Sequence, residues 1–352
     1  MASLGNFCVS IAITVVDENT QTFAQASRSA RRVRRRSGRI RCFGITRIVL
    51  LLLAYFCVPL TARGVTGPAP HVCILYPDVG EPYARITNEI VAGIEERLDA
   101  SKPCTFALPY KVGAEVVRGW LSRHSPDLVI TLGRLATQVF EMSGSRLPHV
   151  IGALDISPET RPNASGISLA VDPRVMFEHL KKIAPRVTRV FLVSEPGHDR
   201  WLVERAMKEA PAYGLELRVE PAANAMEGAE RYGQFVRTAE PQSDAIWVTL
   251  NNAIIDDQSL VPYLIEQAWY RKIIVVSNTL EHARWGVLFA TYPNNRALGH
   301  RLAGMALRLA EHPGKALGIR PLQDIKVAPN HRIMNHLGLP VGKVGMFEIL
   351  YD

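Results

Sequence analysis

The stretch Asp127-Leu-Val-Ile-Thr-Leu-Gly-Arg-Leu-Ala-Thr137 decides the fold. Leu128 to Leu132 is a nearly unbroken apolar run, Gly133 permits a tight turn, and a helical pattern opens behind it. A run that is apolar throughout, rather than at alternate positions, belongs to a strand buried on both faces. Such strands occur in parallel sheets covered by helices.

The same pattern repeats outward from this unit. Upstream runs are His71–Tyr76 and Thr105–Tyr110, and His149–Leu154 follows. A second set is Arg189–Ser194, Leu215–Val219, Ala245–Leu250, Lys272–Ser277 and Gly286–Thr291. Helical stripes lie between them: Ile86, Ile90, Val91, Ile94 and Leu98; Leu202, Val203, Ala206, Met207 and Ala210; Leu298, Leu302, Met305, Ala306 and Leu309. Strand-to-strand spacings of roughly 20 to 35 residues fit βαβ units. A polar break with Pro158, Pro162, Asn163 and Gly166 separates the two sets, and Ile167–Val171 reads as a hinge strand. The extended piece Asp324–Ile333 is read as crossing back. The expectation is an α/β protein of two doubly wound, Rossmann-like lobes joined by a multi-crossover hinge. The expected boundaries are 68–166 plus 281–325 for the first lobe and 167–280 plus 326–352 for the second.

Charge is confined to one end. The net charge is +8 over 352 residues, and residues 1–64 carry ten arginines against Asp17 and Glu18, which accounts for all of it. A neutral body lacks the basic face that phosphate-driven binding needs, so nucleic acid is not an expected partner. All of these arginines but Arg63 precede an apolar run, Ile48–Leu60, shorter than the roughly 20 residues of a membrane span. Ala62 and Gly64 supply small residues behind it. Residues 1–64 therefore read as an export leader, a signal peptide or short anchor with an over-long N-terminal extension, and the body as periplasmic. A twin-arginine signal is a weaker reading, because Arg31-Arg32 and Arg35-Arg36 sit far from the apolar run. Beyond the leader only Cys73 and Cys104 remain. They permit one disulfide or two buried thiols.

Three passages resemble the substrate-binding components of ABC transporters, and more narrowly the tryptophan-type binding proteins: Asp127–Thr137, Pro185–Ser194 with the helix and Gly214-Leu-Glu-Leu after it, and Asp244–Ala303. Asn335-His-Leu-Gly-Leu-Pro340 resembles that family's tail. The resemblance spans about residues 70 to 345 and consists of order and spacing. It implies a type I periplasmic-binding-protein-like fold with three crossovers, closure on a small ligand, and an ATP-driven membrane permease as partner. The ligand loops depart from the family: Leu250-Asn251-Asn252 replaces a Thr-Asp-Asn type of loop, and Ser194-Glu-Pro-Gly-His198 replaces Asn-Pro-Gly. Ligand identity stays open, and so does a role as an orphan sensor feeding a membrane receptor.

In open α/β sheets ligands bind beyond the carboxyl ends of the strands, where helix N-termini favour anions. Gly133, Arg134 and Thr137 fit a carboxylate: Arg134 as ion-pair partner and Thr137 as hydroxyl donor. Opposite them, Glu195 and His198 end the fifth main strand, with Glu195 suited to a ligand amine, and Trp201 could stack on a ring or cation. Asn251 and Asn252 offer amides that donate and accept. Asp78, Tyr83, Asp155 and Asn278 lie at other strand ends. Each has a bland alternative: Trp201 in helix packing, the asparagines in turns, Arg134 on the surface. Chemistry-bearing motifs fail on inspection. Gly338–Lys343 falls short of a P-loop, no Gly-x-Ser-x-Gly elbow is present, and Asp256-Asp257 reads as a helix cap. The resulting expectation is a monomeric, cofactor-free solute-binding protein for a small polar, amino-acid-like ligand. An α/β transferase using the same cleft is the outlying alternative.

Overall fold

The structure is a computed structural model and describes residues 69–99, 102–251 and 253–340. The expected leader, Asn252 and the segment from 341 onward lie outside the described residues.

The first half of the chain alternates strand and helix. It runs β1 (Val72–Pro77), α1 (Tyr83–Leu98), β2 (Cys104–Leu108), α2 (Ala114–His124), β3 (Leu128–Leu132), α3 (Gly133–Met142), β4 (His149–Leu154) and β5 (Ser165–Val171). The second half repeats the theme with α4 (Pro173–Ile183), β6 (Arg189–Ser194), α5 (Arg200–Glu209), β7 (Glu216–Pro221), α6 (Ala225–Thr238), β8 (Asp244–Val248), α7 (Leu260–Arg271), β9 (Ile274–Ser277), α8 (Leu280–Trp285) and β10 (Phe289–Pro293). It closes with α9 (Asn295–Glu311), β11 (Gly318–Leu322), β12 (Ile325–Pro329) and α10 (His331–His336). Every strand expected from the sequence is present: the central strands β3 and β8 are buried at every residue, while the edge strands β2 and β7 are only partly buried.

Two six-stranded sheets result. The first has the order β11-β5-β4-β3-β1-β2 and is wholly parallel. The second has the order β12-β10-β9-β8-β6-β7, with β12 antiparallel to β10 and the rest parallel. Each is a doubly wound sheet whose order reverses beside its first strand, β1 or β6. Parallel neighbours need a crossover on each face, which the helices supply.

The lobe boundaries differ from those expected. Residues 165–171 pair with β4, so the chain leaves the first lobe at Asp172 and not at 166. The Pro-rich break is a loop inside the first lobe. β10 joins the second sheet through Phe289 and Ala290, which pair with β9, so the second crossing falls at Asn294; residues 281–293 belong to the second lobe because a parallel sheet gains by adding this apolar strand. The third crossing lies between Leu322 and Ile325. After the second crossing α9 returns to the first lobe and packs along α1. A Cβ on Gly93 would collide with the Arg296 carbonyl oxygen, and one on Gly299 with that of Ile90, so these two helices touch backbone to backbone. Cys73 and Cys104, at the same register on β1 and β2, form a disulfide. Among the described residues no helix is long and apolar enough to cross a membrane.

Candidate functional site

The loops that leave the carboxyl ends of the strands carry the candidate groups. In the second lobe the β6 and β8 loops flank the point where strand order reverses, the usual position of a ligand crevice in such sheets. The β6 loop folds on itself: the Glu195 N–H donates to Asp199 Oδ2 at 2.9 Å and the Asp199 N–H returns to the Glu195 carbonyl at 2.8 Å. From the β8 loop, Asn251 Nδ2 donates to Glu195 Oε2 at 2.9 Å and to Asp199 Oδ2 at 3.0 Å. Asn251 in turn accepts the Ala253 N–H on Oδ1 at 3.0 Å. One amide therefore ties two carboxylates together across the reversal point.

The first lobe meets this cluster through Asp155, at the end of β4. His198 Nε2 lies 3.1 Å from Asp155 Oδ2, and Ser168 Oγ of β5 donates to the other carboxylate oxygen at 3.0 Å. Beside it the Trp201 N–H donates to Glu159 Oε1 at 2.9 Å. Burial pushes the Asp199 carboxyl up, and the Glu195 N–H and Asn251 bonds only partly offset this. The Asp155 bond holds the His198 imidazole above its ordinary value, against the opposing effect of burial, with the Asp199 and Glu195 charges assisting. The arrangement gathers Asp155, Glu195 and Asp199 around one imidazole and one amide. Electrostatically it suits a ligand that brings positive charge or N–H donors.

The other expected site residues are placed differently. Arg134 is exposed at the start of α3, directly after Gly133 at φ +79°, so the predicted turn and helix start are present. Thr137 is fully buried, and its hydroxyl donates to the Gly133 carbonyl at 2.9 Å; that proton is spent within the helix and not offered to a ligand. Asn278 is a core residue, accepting the Trp247 indole N–H at 2.8 Å and donating to Thr291 Oγ1 at 2.7 Å. Trp201 packs against the Ile151–Ile156–Ile319 cluster of the first lobe, so its ring serves lobe-to-lobe packing. Asp78 and Tyr83 are exposed near the end of β1 and the start of α1. The structure thus brings Asp155, Glu195, His198 and Asn251 together. It leaves Arg134, Asp78 and Tyr83 apart from them, with no bond to that cluster.

Asp199, Ser168 and Glu159 complete the cluster and were not picked out from the sequence. An Asp at a helix start reads as a cap, and only the fold of the β6 loop turns Asp199 toward Asn251. A second constellation also emerges: Ser277 Oγ lies 2.8 Å from His282 Nδ1, and His282 Nε2 lies 3.2 Å from Asp257 Oδ1. Both Ser277 and His282 are fully buried, and Ser277 Oγ also accepts the Thr279 N–H at 3.0 Å. A hydroxyl sealed in this way cannot meet a substrate, so the trio fastens the β9–α8 turn. Separate cavities of about 340 and 540 Å³ open around Trp269, Trp285 and Glu266 on α7 and α8; Asp257 borders the larger, and none of the groups gathered around Asp155 and His198 lines either.

Comparison with protein-family models finds no match, and comparison with curated proteins finds none. Solved structures do match. A substrate-binding protein with adhesive properties from Clostridium difficile, in its ligand-free open form, aligns with 80% of this chain and 99% of its own at 16% identity and a TM-score of 0.56. An ABC domain in complex with L-Trp from Streptococcus pneumoniae aligns over the same shares at 17% identity and a TM-score of 0.50. The chain has the type I periplasmic-binding-protein-like fold. Within that fold the three crossings at Asp172, Asn294 and 322–325 place the hinge, and the Asp155–His198 contact lies between the two lobes.

Proposed function

We propose that this chain is an exported solute-binding protein of an ABC-type uptake system. It closes its two lobes on a small polar ligand bearing an amine, and it makes and breaks no covalent bond. The observation that carries the reading is the meeting of Asp155 from one lobe with Glu195, His198, Asp199 and Asn251 from the other, at the strand ends of a two-lobed fold. A ligand touching both sets favours the closed arrangement by its differential affinity for it. Arg134, at the N-terminus of α3, is the group suited to a carboxylate on the same ligand, and Asp78 and Tyr83, exposed after the neighbouring strand β1, are further candidates on that lobe. The solved structures of similar fold support a binding role, and one of them holds L-Trp. The Cys73–Cys104 disulfide and the basic–apolar leader together support export to an oxidising compartment.

The test is a thermal-shift screen of the purified protein against amino acids, amines, nucleosides, sugars and small anions. A ligand bound only by the folded state raises the melting temperature by mass action, by roughly 2.7 kcal/mol of stabilisation at a hundredfold excess over Kd. Amine-bearing compounds are expected to produce the shifts. A broad screen in which nothing shifts the transition would remove the binding reading. Loss of cellular uptake of the identified compound on deletion of the gene would separate transport from sensing.

A further inference from the structure

The bond between His198 and Asp155 is anchored on both sides. Asp155 is fixed to the first lobe: its Oδ1 accepts from Ser168 Oγ at 3.0 Å, and that hydroxyl also accepts the Ile156 and Ala170 N–H groups at 3.2 and 3.1 Å. His198 is fixed to the second lobe: its N–H donates to the Glu195 carbonyl at 3.0 Å, inside the loop that Asp199 closes. Because each partner is tied to its own sheet, rotation of the lobes at this point must stretch or break the 3.1 Å contact between them.

We propose that the His198–Asp155 bridge is a proton-operated latch on lobe closure. With the imidazole protonated the bridge is an ion pair and draws the lobes together. With it neutral the bridge weakens to an uncharged donor's hydrogen bond, and the lobes part more readily. The charged groups around His198 are Asp155 and Glu159 from the first lobe and Glu195 and Asp199 on its own loop. Of the nearby cations, Arg200 is exposed, and Arg161 is engaged with Glu141. The surroundings are therefore negative and favour the proton. The sign follows from linkage: the Asp155 bond is the largest effect raising the imidazole above its ordinary value of about 6.5, and it exists only where Asp155 faces the ring, so closure takes up a proton and acid favours the closed form. A cationic ligand entering this cluster competes with the imidazolium for the same carboxylates.

The proposal rests on the binding-protein reading for the hinge motion alone and needs no ligand. Its test is small-angle X-ray scattering of the ligand-free protein between about pH 5.5 and about pH 8.5, the range in which histidine titrates. The radius of gyration should rise with pH, with a midpoint above about 6.5. His198→Gln should keep the alkaline value throughout, and His198→Arg, permanently charged, the acid value. Circular dichroism checks that each variant is folded. Should a variant not fold, proton NMR titration of His198 in the unaltered protein decides: an unraised value overturns the latch. A radius that does not respond to pH, or a response that survives in His198→Gln, also overturns it. A flat radius alongside a clear ligand in the thermal screen defeats the latch alone. A responsive radius with no ligand defeats the binding reading alone.

Discussion

Arg205 of α5 grips Asp172 with two bonds, Nε to Oδ1 at 2.9 Å and Nη2 to Oδ2 at 2.8 Å, at the point where the chain first leaves the first lobe. Asp172 is fully buried. Its Oδ2 also accepts Gln323 Nε2 at 2.8 Å, from the third crossing, and its Oδ1 caps α4 through the Arg174 N–H at 3.1 Å. Gln323 and Asp324 are held in turn by Arg301 of α9. One carboxylate thus joins two of the three crossings to a second-lobe helix, which makes it the anchor of the hinge.

Removing the cation from this pair should be costly. Arg205→Met keeps the aliphatic stem and leaves the Asp172 carboxylate short of its charge partner. Breaking a fully buried pair costs about 3–5 kcal/mol. The Arg205 side chain is 36% exposed, so about 2 kcal/mol is expected after allowing for solvent. Burial pushes the Asp172 carboxyl up, but the Arg205, Gln323 and Arg174 bonds outweigh it and the net shift is downward. Its contribution is therefore full above the ordinary carboxylate range and is lost as pH falls through the depressed value. Urea unfolding at neutral and acid pH, with and without the substitution, reads both effects.

The α1–α9 contact makes a steric prediction. Gly299→Ala places a methyl group against the Ile90 carbonyl and the Gly93 backbone, neither of which can turn aside. Overpacking of this kind costs about 1–3 kcal/mol, and more where backbone must move. Gly304 on the same helix has open space around its missing Cβ. Gly304→Ala should instead stabilise by up to about 1 kcal/mol through helix propensity. Melting temperatures of the two variants should move in opposite directions.

At the site, two substitutions separate the two ends of the proposed ligand. Glu195→Gln keeps the shape and the Asn251 bond acceptor but removes the charge. An amine-bearing ligand should weaken by about 1.5–3 kcal/mol, the range for hydrogen bonds to charged groups. Arg134→Ala should weaken a carboxylate-bearing ligand by a similar amount and leave a simple amine unaffected. Isothermal titration with an amine and its amino-acid counterpart reads both. An unchanged affinity removes the corresponding residue from the site.

How much of this was legible in the sequence depends on whether the signal was local. The buried strands were, since β3 and β8 are apolar at nearly every position. β11 was not, because Gly318-Ile-Arg-Pro-Leu322 is short, contains Pro321 and Arg320, and becomes a strand only by pairing with the edge of β5. The lobe boundaries were misplaced for a related reason: Pro158 to Gly166 reads as a linker, yet the strand after it stays with β4. Site residues divide in the same way. Glu195, His198 and Asn251 follow from strand-end position alone. Asn278 has the same position and Thr137 lies in the first turns of the helix after β3, yet their side chains are spent on Trp247 and Thr291 and on Gly133. Asp172 gave no signal at all, since its partners come from α5 and from residue 323.

His149 stands at the start of β4, mostly shielded from solvent. Its Nε2 lies 2.6 Å from Thr131 Oγ1, which lies 3.0 Å from Thr137 Oγ1. Thr137 gives its proton to the Gly133 carbonyl, so Thr131 must donate to Thr137 and accept from His149. The chain of hydroxyls therefore puts a proton on Nε2, and burial disfavours a second one on Nδ1. Burial, assisted by the Arg161 charge, pushes its pKa down to about 4. The unfolded chain takes up a proton near the ordinary value of about 6.5 and the folded chain does not, so folding stability is lost as pH falls between the two. The loss is at most about 3 kcal/mol, from about 1.4 kcal/mol per pKa unit. His149→Gln keeps an N–H donor for Thr131 and does not titrate. Its stability at neutral pH should be somewhat lower, but its decline between about pH 6.5 and about pH 4 should be shallower by that amount. Chemical denaturation across this range compares the two slopes, and equal slopes would show that His149 is already protonated in the folded protein.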